Sequence, residues 1–340
     1  MDRAPLRPSE FSAVMGTGIV GNAALALPGH VPGLHASAAV IWVVAAALLV
    51  RAAVGAVGRP LDPATAPVLG AVPMALMTVG AGALHFTPYV GVAVALWLAG
   101  TVLGLVTAVA VPFMITVRSE TQGREPEMTG AWLMPVVPPM VSAATGAPLI
   151  AHFPASVRPD ALLACYALFG ISLFAAVAII GQLWGRLLHH GPGEPANVPT
   201  LWIVLGPLGQ SVTAAHALGA AAGEVLPERY AAGAEVFALL YGVPALGFAL
   251  LWLAFAAAVT LRTARSGGGL PFTPAWWAFT FPVGTCVTGA AGLAAQTGSA
   301  VFSGLAITLY LLLVAAWATV VARTVAARVR VSGLRRATAR

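Results

Sequence analysis

Long apolar runs, each bounded by arginine, proline or glycine clusters, succeed one another along the whole chain with short polar gaps between them. Ten such runs begin near Phe11, Leu34, Ala66, Val90, Thr129, Ala161, Thr200, Ala231, Thr273 and Val301. A helix needs ~20 mostly apolar residues at ~1.5 Å rise to cross ~30 Å of hydrocarbon, so each run reads as a membrane-spanning helix. Alternate runs carry a proline or a glycine pair in their middle: Met15-Gly16-Thr17-Gly18, Val72-Pro73-Met74, Pro135 to Pro139, Gly206-Pro207-Leu208-Gly209 and Phe281-Pro282-Val283-Gly284. The intervening runs lack such a break, with Pro112 and Pro244 as exceptions. Anchors at Gly16, Pro73, Pro138, Pro207 and Pro282 recur at about the length of one helical hairpin, a drifting internal repeat. The pattern predicts an all-α integral membrane protein of ten transmembrane helices in five hairpins, with five broken inner helices backed by five outer ones around a central pore.

A proline inside a helix removes a backbone donor, clashes with the carbonyl four residues earlier and kinks the helix. Irregular backbone at membrane depth persists where it is buried in protein or lines a wet cavity, so five breaks at similar depth point to a shared path. A half-helix beginning after each break turns its partially positive end into that path, which attracts an anion without holding it. Candidate pore-lining or break residues are Gly16, Thr17, Gly18, Pro73, Pro138, Pro139, Ser142, Pro207, Ser211, Pro282 and Thr285. Thr78, Thr145, Thr213 and Thr288 add hydroxyls on the same helices. Such hydroxyls either line a path or bond their own helix backbone and mediate helix packing.

Composition agrees with the pattern. The chain is 59% hydrophobic and 8% charged, with a mean hydropathy of +0.90, whereas soluble domains are about one quarter charged. There is no lysine, and the net charge of +6 is carried by arginine. In a ten-span topology every arginine except Arg158 and Arg229 falls on one side, and cytoplasmic loops accumulate positive charge, so both termini are expected in the cytoplasm. The basic pI near 10.1 therefore reflects topology and not a nucleic-acid partner. Residues 1–10 read as a cytoplasmic N-terminus, 11–325 as the transmembrane domain and 326–340 as a basic cytoplasmic tail able to touch anionic membrane lipid. The first run is taken as an uncleaved span because its Gly-rich centre resembles the later broken runs.

No Arg, Asp or Glu lies in the interior of a broken run, so the path is expected to be nearly neutral. His85, His152 and His216, on the outer halves of the third, fifth and seventh runs, either titrate and modulate the path or sit as interfacial residues. Glu235, about one turn into the eighth run, is either a helix-end residue or the titrating group of a proton-coupled transporter. Cys165 and Cys286 are isolated within predicted spans and read as packing residues. No HExxH motif or carboxylate cluster argues for an enzyme, a metal or a cofactor.

Three segments together resemble the tellurite-resistance/dicarboxylate transporter family, which includes TehA-type channels, plant SLAC-type anion channels, fungal malate permeases and sulfite efflux pumps. They are Phe11 to Val20, Trp132-Leu133-Met134-Pro135-Val136-Val137-Pro138-Pro139 and Trp276-Trp277-Ala278-Phe279-Thr280-Phe281-Pro282, with Gly206-Pro207-Leu208-Gly209-Gln210 as a fourth. The resemblance implies quasi-fivefold order, a homotrimer in the plasma membrane and an aromatic gate in the ninth helix. Phe281 matches that gate by position and Phe279 is the fallback; a phenyl ring beside a break can close a neutral pore by sterics and dewetting. The implied passengers are small anions such as C4-dicarboxylates, sulfite or tellurite-type oxyanions, moved through a gated channel or, alternatively, by proton coupling on the same scaffold. The Met-Gly-Thr-Gly and Gly-Pro-Leu-Gly-Gln segments lean toward the malate and sulfite branches.

Overall fold

Backbone amides in a chain this apolar have little but one another to bond, and every regular element among the described residues is a helix. The computed structural model describes residues 6, 8–29, 31–60, 62–122 and 127–337. Arg3, Arg7, Arg124 and Arg340 lie outside the described residues. Ten α-helices occur among the described residues: α1 (Ser9–Ala26), α2 (Leu34–Ala56), α3 (Ala71–Phe86), α4 (Val90–Gln122), α5 (Pro138–Gly146), α6 (Arg158–His190), α7 (Leu205–Val225), α8 (Glu228–Arg265), α9 (Phe281–Thr297) and α10 (Ala300–Ala337). Short 3₁₀ segments lead into four of them: Pro63–Gly70 before α3, Gly130–Leu133 before α5, Val198–Val204 before α7 and Pro274–Phe279 before α9. A fifth, Ala147–His152, extends α5.

Among the described residues eight helical stretches are long and apolar enough to cross a membrane. The exceptions are α1, where Ser9, Glu10, Ser12 and Asn22 dilute the apolar run, and α5, whose 9 residues reach only roughly 14 Å at 1.5 Å per residue. At the other extreme α8 has 38 residues, roughly 57 Å at the same rise, so it projects beyond a ~30 Å hydrocarbon layer. The last helix also runs on unbroken to Ala337, past residue 325, where the sequence places the start of a tail.

Burial separates the helices into two classes. The stretches containing α3, α7 and α9 are 61%, 83% and 89% buried, whereas those of α2, α4 and α10 are 22% buried and that of α6 is 33%. Each odd-numbered helix packs against the even-numbered one that follows it. The odd-numbered helices also contact one another in a closed order: α1 with α3, α3 with α5, α5 with α7, α7 with α9 and α9 with α1. Indoles on the outer helices fasten the two classes together: Trp42 Nε1 donates to the Val79 carbonyl, Trp97 Nε1 to that of Ser142 and Trp252 Nε1 to that of Leu201, each at 2.9 Å. In an apolar medium these N–H groups must find partners, and each one found fixes a helix pair.

The expected breaks take a different form from the kinks that the prolines suggest. The first inner helix has no break at all: α1 is continuous through Met15-Gly16-Thr17-Gly18. Elsewhere Pro73, Pro138, Pro207 and Pro282 sit within the first three residues of α3, α5, α7 and α9, and Pro139 follows Pro138 in the first turn of α5. There a missing N–H costs nothing, because the first turn has no intrahelical acceptor for it. The break is a change from 3₁₀ to α winding, and hydrogen bonding is passed across it. Thr280 N donates to the Trp277 carbonyl, Gly284 N to that of Thr280, and Val137 N to that of Leu133. The unbonded N–H groups, and the positive dipole ends, therefore lie at the outset of the lead-ins and not at mid-depth.

Candidate functional site

The lead-ins are drawn together where glycine permits backbone to touch backbone. A Cβ on Gly70 would collide with the Met134 carbonyl oxygen, and one on Gly130 with that of Thr200. Around them the segments before α5, α7 and α9 contact one another in turn. Gly16 and Gly18 serve the same end on α1: the first lies against Thr280 and Trp277, and a Cβ on the second would lie 2.8 Å from Thr78 Cγ2. The two glycines read as a helix break are thus packing positions.

Within this collar lies a cavity of about 130 Å³ to which all five inner segments contribute. On α1 the wall is Ser9, Ser12 and Met15, and Val68 and Met74 come from either side of the start of α3. Met134 and Val137 precede α5, and Ile203, Gly206 and Pro207 span the start of α7. Trp277, Phe281 and Pro282 close it from the ninth segment. Among the described residues no ionised side chain lines it, and the hydroxyls of Ser9, Ser12 and Thr200 are its only side-chain oxygens; that of Thr200 donates to the Asn197 carbonyl at 2.7 Å. The arrangement is a neutral, thioether- and aromatic-lined chamber at the end of the bundle where the inner helices begin.

Of the residues singled out in the sequence, Pro207, Phe281 and Pro282 line this chamber. Phe281 is 3% exposed and begins α9, where its ring occupies the chamber wall at the level of the 3₁₀-to-α change. Phe279 is placed differently, with its ring perpendicular to Trp202 at 5.0 Å and close to perpendicular to Trp276 at 5.6 Å. Pro73, Pro138 and Pro139 are buried at helix starts outside the chamber wall.

The hydroxyls divert to packing. Trp317 Nε1 of α10 donates to Thr17 Oγ1 at 3.3 Å, and Ser142 Oγ lies 2.6 Å from Thr101 Oγ1 of α4. Tyr241 of α8 donates to Ser211 Oγ at 2.7 Å. Thr285 Oγ1 bonds the Pro282 carbonyl and reaches those of Leu205 and Gly206 across the α7–α9 seam, and the hydroxyls of Thr213 and Thr288 meet at 2.7 Å on the same seam. His85 and His152 are exposed at the far ends of their segments, and half-buried His216 packs against Gly292 of α9. Glu235 is exposed on α8, where its carbonyl accepts from Gln296 Nε2 at 2.7 Å. None of these four lines the chamber.

Sequence reasoning passed over the chamber's own side chains, chiefly Ser9, Ser12, Met15, Met74, Met134 and Trp277. One signal was present: Met15, Met74 and Met134 each stand beside an anchor glycine or proline.

Comparison with known proteins decides the family. The family described as voltage-dependent anion channel (SLAC1) matches residues 5–325. This chain belongs to that family. Among its relatives, the sulfite efflux pump SSU1 of Arthroderma otae is 29% identical over 94% of this chain and 89% of its own length. The sulfite efflux pump SSU1 of Trichophyton rubrum is 28% identical with the same coverage. An uncharacterised transporter of Methanocaldococcus jannaschii is 25% identical over 82% of this chain and 81% of its own length. Membership of the voltage-dependent anion channel family covers all ten helices described above, apart from the last part of α10, and makes this a multi-pass membrane protein of anion transport.

Proposed function

We propose that the chain moves small inorganic oxyanions, sulfite foremost, through a central path enclosed by the five inner helices in quasi-fivefold order, with Phe281 as its gate. The observation that carries this reading is a chamber walled by all five inner segments, free of ionised side chains among the described residues, with Phe281 in its wall. A neutral wall passes an anion by partial dehydration and does not trap it, and an aromatic constriction closes such a path by excluding water. Relatives named as sulfite pumps support sulfite ahead of C4-dicarboxylates or tellurite-type oxyanions. The chamber end is assigned to the cytoplasm, because Arg51, Arg186, Arg262, Arg265 and Arg323 sit toward that end of their helices, Arg59 lies just past the end of α2, and Arg158 and Arg229 sit at the other end. A homotrimer in the plasma membrane is the assembly that the family resemblance implies.

Flux of sulfite, nitrate, chloride and malate into proteoliposomes tests the reading. Phe281→Ala is expected to raise anion flux several-fold. Its ring already borders a cavity, so the loss of stability should fall below the roughly 3–5 kcal/mol of a packed Phe→Ala site. Phe279→Ala, which empties the aromatic contact with Trp202 and Trp276, should lower thermal stability without raising flux. Unchanged flux in Phe281→Ala would remove the gate assignment.

A further inference from the structure

Ser9, Ser12 and Met15 are spaced three residues apart along α1, so they share one helix face, and all three line the chamber. Ser12 is 6% exposed, and among the described residues neither its hydroxyl nor that of Ser9 has a hydrogen-bond partner. That is unusual for a helical serine, which ordinarily returns its proton to a carbonyl one turn back; Thr78, Thr145, Thr213 and Ser211 on the inner helices all do so. A hydroxyl on so little exposed a residue, with no protein acceptor and facing a chamber whose described side chains carry no cation, is an unspent donor. It lies in the first turns of an 18-residue helix, whose leading N–H groups carry the partial positive charge of the helix end. The one carboxylate in that turn, Glu10, is on another face and lies 3.9 Å from Arg51 of α2.

We propose that Ser12, with Ser9 beside it, forms an oxyanion-binding subsite on the chamber side of Phe281, and that Ser12 is its principal side-chain donor. The inference rests on the transport reading above and adds to it a place where the anion pauses before the gate. The occupant is a small oxyanion such as sulfite or nitrate: it brings two acceptor oxygens to two hydroxyls on adjacent turns, and the chamber of about 130 Å³ compares with roughly 30 Å³ per water in the liquid. Met15, Met74 and Met134 supply a polarisable wall, which solvates a partly dehydrated anion better than aliphatic carbon does.

The test is the concentration dependence of sulfite flux measured separately from the two faces of oriented vesicles. Ser12→Ala should raise the half-saturating concentration roughly tenfold from the chamber face, the loss of one hydrogen bond to a charged group. From the opposite face it should leave half-saturation unchanged, and maximal flux should stay within about twofold. Ser12→Thr, which keeps the hydroxyl, should restore the wild-type value, and sulfite should raise the melting temperature of purified wild-type protein more than that of Ser12→Ala. Equal effects from both faces, an unchanged half-saturation in Ser12→Ala, or no rescue by threonine would overturn the subsite while leaving transport intact. Absence of anion flux in the wild type would instead overturn the transport reading, and the subsite with it.

Discussion

Polar side chains in a membrane helix must find partners, and here the partner found decides each residue's role. Thr17, Ser142 and Ser211 occur at the depth expected of pore hydroxyls, yet each engages Trp317, Thr101 or Tyr241 on an outer helix. Residue type and spacing cannot distinguish a hydroxyl that faces a path from one that faces a neighbour, since helix rotation about its axis is fixed by packing. Ser12 carried no such mark in the sequence and became visible only because its hydroxyl is left over. Glu235 illustrates the converse. Its side chain is exposed on α8 and absent from the chamber wall, so Glu235→Gln is expected to leave sulfite flux and its dependence on a pH gradient unchanged. A gradient dependence lost in that variant would favour proton coupling.

At the scale of elements, alternation of broken and unbroken runs was legible, and the structure's division into buried odd-numbered and exposed even-numbered helices follows it. Where the break lies was not. Proline has two structural uses, kinking an established helix and starting a new one, and only the hydrogen bonds on its N-terminal side tell them apart. The lead-ins already bond those that follow, so proline starts the helices here. Glycine was likewise read as a breaker in α1, whereas continuous α1 uses Gly16 to admit Thr280 and Trp277. The same close approach predicts that Gly130→Ala, whose Cβ would strike the Thr200 carbonyl oxygen, costs about 1–3 kcal/mol as an overpacked site. A drop in melting temperature of the purified protein measures it, and an unaltered value would show that the collar can relax.

For the whole molecule, five hairpins in a closed contact order put every inner segment's lead-in at one end, and the chamber exists because five chain segments far apart in sequence meet there. Ion pairs brace that end from outside: Arg51 with Glu10, and Arg186 with Glu127 at 2.6 Å, beside a turn at Gly193. If this end faces the cytoplasm, a fluorescent protein that matures only there will fluoresce when fused after the C-terminus. A periplasmic or extracellular reporter in the same position will stay silent. The opposite pattern would invert the assigned direction of approach to the Ser12 subsite.

Hydropathy determined by itself that the chain is a helical membrane protein, because the bilayer accepts so few backbone solutions. Arginine placement fixed an expected orientation, and four short segments carried the family resemblance. Tertiary structure alone decided that prolines start helices, that Gly16 and Gly18 pack, and that Phe281 rather than Phe279 borders the chamber. Those outcomes depend on which helix lies beside which and how each is rotated. Both are set by contacts between residues remote in sequence, such as Gly130 with Thr200 and Gly16 with Thr280, and no local pattern encodes them.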